Sequence, residues 1–227
     1  EIIIMIADCN TNQLDFQALG FKKVIGKFDG GTITSDAGGL LLREIDQRFN
    51  IIDSLSSCFT DNRNPNKIEH PLRNLLAQRI LGLCLWYEDL NDHEELKKDH
   101  LFAVMCDHQD PTGKTRIHEN DKGKPLAGKS TLNRLETAIP DDKKSERYKK
   151  IFYDEDLVDD LLIDIFLDSY ESEPEQIILD LDTTDDAIHG TQEGRFFHGH
   201  YDDYCYLPLY VFCGRNLISV KLRTSDI

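Results

Sequence analysis

The chain has 227 residues, 40% of them hydrophobic and 30% charged, enough apolar material to bury one large core or two smaller ones. Its longest apolar run, around Ile80 to Trp86, falls far short of the roughly 20 residues a membrane-spanning helix needs, and the apolar opening from Glu1 to Ile6, with neither a basic flank nor a small-residue cleavage site, reads as a strand edge and not as a signal peptide. A net charge of −16 taken whole argues against a nucleic-acid partner, yet the charge is segregated: residues 112–150 carry 11 Lys and Arg against 6 Asp and Glu, whereas residues 151–186 carry 14 Asp and Glu and no cation.

In chain order, residues 1–30 read as an N-terminal arm, and 24–36 as an extended segment broken by glycines. A helix is expected from Ser35 or Asp36 through Leu40, Leu41, Leu42 and Ile45 to about Phe49. Pro71 suits a first helical turn, and Leu72, Leu75, Leu76, Ile80 and Leu83 then recur at helical spacing. Trp86 and Tyr87 close that apolar stretch and read as core. Asp92 with Glu95 three residues on resembles a capping box opening one helix over Leu96, Leu101 and Val104. Residues 107–126, rich in Gly, Pro, Asp and Lys, read as a loop or mobile insertion, after which helical pattern returns from Ser130 to Ala138. A further helix over 150–170 puts Leu157, Leu161, Leu162, Ile165 and Phe166 on one side and leaves its aspartates as a solvated face.

The period then changes. Gln176 to Leu181 and Tyr204 to Cys213 are β-prone runs, Gly214-Arg215-Asn216 is a turn signal, and Leu217 to Arg223 alternates, so 176–223 is expected to hold three consecutive antiparallel strands. The fold class is therefore α+β: a mainly helical region over 31–172, expected to bind DNA or dimerise, and the start of a sheet domain over 173–227. Six cysteines without a Cys-x-x-Cys pair suggest neither a zinc knuckle nor a disulfide framework, and fit a reducing cytoplasm with the thiols acting as small buried hydrophobes.

Asp180 and Asp182 stand two apart on a strand and leave the same face. Two readings are open: a metal-ligating pair, or a strand-end cap ahead of Asp185 and Asp186.

The run from Asp180 to Asp186 is followed by His189-Gly190, by Gln192-Glu193-Gly194-Arg195-Phe196-Phe197-His198-Gly199, by Tyr201-Asp202 and by Cys205-Tyr206-Leu207-Pro208-Leu209-Tyr210-Val211-Phe212. Together these closely resemble DDE-type transposases of bacterial insertion sequences, the group 1 transposase domain. Phe28-Asp29-Gly30-Gly31, Ser35-Asp36-Ala37-Gly38-Gly39, Tyr87-Glu88-Asp89-Leu90-Asn91-Asp92 and Ser130-Thr131-Leu132-Asn133-Arg134-Leu135-Glu136 match the same group in the same order, so the resemblance covers about residues 25–227. It implies a ribonuclease-H-like catalytic domain whose first strand presents an Asp, with a second Asp and a Glu from later elements, the three holding two Mg2+ ions for phosphodiester cleavage and strand transfer. The Asp-x-Thr pattern of the family points to Asp182, followed by Thr184, with Asp180 in reserve. The implied partners are the terminal inverted repeats and target DNA, with a homodimer as the assembly. The second Asp and the Glu are expected beyond residue 227, so these residues alone are expected to be the N-terminal, catalytically incomplete portion. The rival is a truncated remnant that binds DNA or another protein without cutting.

Residues 123–130 also fit the phosphate-loop pattern G-x-x-x-x-G-K-[ST], but the preceding residues hold one aliphatic side chain where that motif needs a buried strand. Lys129 and Arg134 read better as phosphate contacts at a helix start in a DNA-facing region. Arg195 and His198 are assigned to a DNA-facing loop beside the catalytic strand, against a plain surface role for the histidines; His198-Gly199-His200 lacks a third metal ligand.

Overall fold

A computed structural model describes residues 13–27, 34–140, 149–192 and 194–226, and the chain divides into two compact units, Glu1–Tyr153 and Asp154–Ile227. The division falls earlier than the expected 172/173 boundary and assigns the acidic helix to the second unit.

In the first unit, β1 (Gln13–Leu19) and β2 (Lys22–Lys27) form an antiparallel hairpin where an arm was expected. Leu19 and Val24 are buried, which anchors it. Residues 28–33 lie outside the described set. Next come α1 (Gly39–Phe49), α2 (Ile51–Ser57) and β3 (Phe59–Asp61), then α3 (Leu72–Cys84) after Pro71. Asn50, at φ 56°, separates α1 from α2. There the Asp46 carboxylate accepts from the Ile52 amide at 2.8 Å and from Arg73 at 3.1 Å. The central α3 packs against α2, α5 and α6, so its Leu75, Leu76, Ala77 and Leu81 are all buried. Arg43, 1% exposed, is compensated throughout: its Nε donates to Asp107 at 2.7 Å, and its Nη atoms donate to the Gln17 and Ala18 carbonyls at 2.9 and 3.3 Å. Gly39 allows α1 to approach α5, since an added Cβ would lie 2.4 Å from Met105 Cε.

Three expectations need correction here. The helix expected from Asp92 is two: α4 (His93–Leu96) and α5 (His100–Met105). Asp99 interrupts it, because its carboxylate accepts from the Leu101 and Phe102 amides at 2.8 and 3.0 Å and so starts a new helix. Trp86 is not core but 85% exposed: φ of 70° turns the chain out after α3, and Tyr87 donates its hydroxyl to Asp36 at 2.9 Å. The 107–126 loop is not a free insertion. Asp110 accepts from Thr112 and Thr115, and Leu126 and Ala127 at its end are buried. After α6 (Lys129–Glu136), short β4 (Ile139–Pro140) pairs in parallel with β5 (Ile151–Tyr153), which pairs antiparallel with β3.

The second unit opens with α7 (Glu155–Asp168), capped by Asp154, which accepts from the Leu157 amide at 3.1 Å. Its sheets use β6 (Asp180–Thr183), β7 (Asp186–Ala187), β8 (Phe196–His198), β9 (Asp203–Tyr206), β10 (Leu209–Cys213) and β11 (Asn216–Lys221). β11–β10–β6 is a three-stranded antiparallel sheet, turned at Gly214 with φ 60°, but its strands are not consecutive as expected, because β7, β8 and β9 lie between β6 and β10. The run from Tyr204 to Cys213 is not one strand. It breaks at Leu207 and Pro208, since proline cannot donate to a ladder, and its first half pairs in a second sheet, β7–β9–β8. Mixed helix and sheet agree with the α+β class. No described helix is long and apolar enough to cross a membrane. Cys58, Cys106, Cys205 and Cys213 are buried, as small hydrophobes would be, while Cys84 is exposed.

Candidate catalytic strand and nucleic-acid interface

β6 lies antiparallel to β10, with Asp180 opposite Phe212 and Asp182 opposite Tyr210. Residues opposite one another share a sheet face, so both carboxylates stand with Tyr210 and Phe212. The other face carries Leu181, Leu209, Val211 and Lys221. On that second face α7 lies against β11 rather than β6: Asp159 pairs with Lys221 at 3.3 Å, and Tyr170, just past the helix, meets Cys213, while Leu181 stays exposed. Asp180 and Asp182 therefore leave the face away from the helix, and every residue of β6 is exposed. Exposure is what makes two strand carboxylates tolerable without a partner. Neither accepts a hydrogen bond among the described residues, so neither acts as the strand-end cap.

Two exposed carboxylates on one face are hard oxygen donors of the kind Mg2+ prefers. They fit such an ion in kind but do not complete a ligand set: among the described residues no three His, Cys, Asp or Glu converge on one point.

Arg195 and His198 sit at the second sheet of this unit. The Arg195 guanidinium lies over the Tyr204 ring, 5.0 Å from its centroid, and donates to the Gly190 carbonyl. His198 packs its ring against Tyr201 at 5.1 Å, tilted, and meets His200 edge-on at 6.4 Å. Glu193 lies outside the described residues.

In the first unit, Lys129 and Arg134 share α6 but do different things. The Lys129 ammonium donates to Asn91 at 2.9 Å, and its amide donates to Glu94 Oε1 at 2.9 Å. The Glu94 carboxylate thus occupies the helix N-terminus, where a phosphate loop would hold its phosphate. No strand precedes residues 123–130 either; a 3-10 turn, Glu119–Asp121, does. Arg134 lines a cleft of about 660 Å³ whose other cations include Arg63, Lys67, Arg116 and Lys124. Of these, Arg63 and Lys67 escape sequence reasoning, because they lie outside the basic stretch and reach it only through the fold. The local signals are Pro65, which opens a 3-10 turn over Pro65–Lys67, and Pro71, which precedes α3.

Comparison with curated proteins and with solved structures gives no match. The family described as transposase DDE domain group 1 matches residues 16–227, from β1 to the end of the last sheet. With the carboxylate-bearing strand and its antiparallel neighbours inside that match, the chain belongs to the transposase DDE domain group 1 family.

Proposed function

We propose that the protein is a DNA transposase of a bacterial insertion sequence, in which Asp182 is a metal-ligating catalytic residue and Asp180 stands beside it. The observation that carries this reading is the register of β6: it presents both carboxylates, exposed and unpartnered, on the face not covered by α7. In that role Asp182 and Asp180 would hold Mg2+, which supplies charge to polarise a scissile phosphate and to lower the pKa of an attacking water or 3′-hydroxyl. The carboxylates fix the position of that charge at the strand end, and Tyr210 and Phe212 beside them provide a semi-apolar floor against which DNA is desolvated. The second sheet extends the surface with Arg195 and His198, while Lys129 and Arg134 meet phosphates from the first unit. The sheet of β6, β10 and β11 is then the opening of a ribonuclease-H-like domain, and the element's terminal repeats are the substrate, bound by a homodimer.

A second reading is favoured by the absence of a three-ligand cluster among the described residues: a remnant that binds DNA without cutting it. One experiment separates the two. In Mg2+-dependent cleavage of a labelled element end by the protein in its natural full length, Asp182→Asn is expected to lower the rate by at least about a hundredfold while DNA affinity is kept. Normal cleavage by Asp182→Asn with none by Asp180→Asn would transfer the role to Asp180. No cleavage by the parent protein, with binding intact, supports the remnant.

A further inference from the structure

We propose that the cleft between residues 63–70 and α6 is a phosphate-backbone site that seats successive phosphates of a DNA strand independently of base sequence. Six Lys and Arg line it, Arg63, Lys67, Lys97, Arg116, Lys124 and Arg134, against two carboxylates, Glu69 and Asp121. Some of that charge is already answered. Arg63 is held by Asp61 at 2.6 Å, Lys97 by Glu94, and Arg116 by Glu69 at 2.8 Å. Lys67, Lys124 and Arg134 have no carboxylate partner among the described residues; Lys124 donates only to the Asn120 carbonyl. Three unanswered cations gathered in one concavity repel one another, and in a chain of net charge −16 solvent-facing acid is abundant elsewhere. Their convergence is what an anionic ligand would repay.

The floor of the cleft is built, not incidental. The Arg116 side chain is 12% exposed, and its Nη1 donates to His70 Nε2 at 2.7 Å, which requires that nitrogen unprotonated. Its Nε–H is buried with no acceptor among the described residues. A guanidinium fixed in this way is a rigid positive post suited to phosphate oxygens.

Size and lining select the ligand. About 660 Å³ exceeds what one inorganic phosphate fills and is within the range of sites that take a ligand of several groups. Among the described residues no Trp, Tyr or Phe lines it; the apolar contacts are Ile68, Ile117 and Leu126, which suit deoxyribose, and the rings present are the imidazoles of His70, held by Arg116, and exposed His118. A nucleoside triphosphate is disfavoured because Glu94 holds the α6 N-terminus. That the strand is DNA rests on the transposase reading; the anion site itself does not.

The test uses the whole chain and a short labelled duplex of arbitrary sequence, with affinity followed against salt. Lys67→Glu, Lys124→Glu and Arg134→Glu are each expected to weaken binding roughly tenfold and to lower the salt slope by about one, while Lys23→Glu and Lys98→Glu, at exposed positions off the cleft, stay within about twofold. Circular dichroism checks that each variant is folded. Duplex binding unchanged in the three cleft variants, or weakened equally in the two controls, overturns the site and leaves the transposase reading standing. Failure of the parent chain to bind any duplex overturns the DNA assignment at its root. Displacement of the duplex by ATP at lower concentration than by unlabelled duplex would make this a nucleotide site instead.

Discussion

Gln78, 1% exposed on α3, uses both ends of its side-chain amide: Oε1 accepts from the Ala127 amide at 3.0 Å, and Nε2 donates to the Ala127 carbonyl at 2.8 Å. Because Nε2 is the donor, its 3.1 Å contact to His93 Nδ1 makes that nitrogen an acceptor and places the imidazole proton on Nε2. One residue thereby joins α3, α4 and the end of the 107–126 loop. Gln78→Leu keeps most of the volume but strands a buried amide, a carbonyl and an imidazole nitrogen, each worth about 1–3 kcal/mol when left unpaired. A loss of about 2–5 kcal/mol in urea denaturation is expected. A loss below about 1 kcal/mol would show that the clamp does not hold the loop. Nothing in the local sequence signals this role, since a glutamine between leucines reads as a surface position until Ala127, far along the chain, is brought to it.

At the scale of elements, Asp99 decides where one helix becomes two. Besides the Leu101 and Phe102 amides, its carboxylate receives the Thr34 hydroxyl at 3.3 Å, whereas Asp92, the expected cap, makes no capping hydrogen bond to α4. Asp99→Ala should therefore lower stability by about 1 kcal/mol or more and Asp92→Ala by less than half of that, measured by thermal unfolding; the reverse order would restore the single-helix reading. Elements with a strong period were legible: α3 from its leucines, α7 from its apolar side, and β10–β11 from alternation around Gly214. What escaped was decided by competition between neighbouring signals, as where Asp99 outweighs helical period or Pro208 divides a β-prone run whose halves join different sheets. The strand of Asp180 and Asp182 was legible as a pattern of two carboxylates, but their choice of face required the register with β10. The cleft was legible only in part, because Arg134 and Lys124 belong to the basic stretch while Arg63 and Lys67 arrive by topology.

For the whole molecule, buried imidazoles set a dependence on pH. Burial, reinforced by the neighbouring Arg116 guanidinium and by His108 and Arg63, pushes His70 down to about 3 despite Asp121. Burial with Arg79 nearby pushes His93 down to about 4, only weakly opposed by Asp92. Both are neutral in the folded chain and bind a proton near their ordinary 6.5 when unfolded. The unfolded state thus holds more protons below about pH 6.5, so stability is complete above that value and is lost as pH falls toward the folded values. Between about pH 6.5 and 5 the loss should approach 1.4 kcal/mol per pH unit for each histidine, read as falling urea midpoints. A flat profile across this window would mean that neither ring is excluded from water.

The pairing of β6 with β10 carries an evolutionary consequence. A strand alternates its faces with every residue, so a one-residue insertion or deletion within Asp180–Thr183 would move Asp180 and Asp182 to the opposite face of the sheet, away from Tyr210 and Phe212. The segment between α7 and β6 bears no such constraint, because a connection can lengthen at little entropic cost. Viable lineages of this chain should accumulate length changes between residues 169 and 179 and almost none across the four residues that follow.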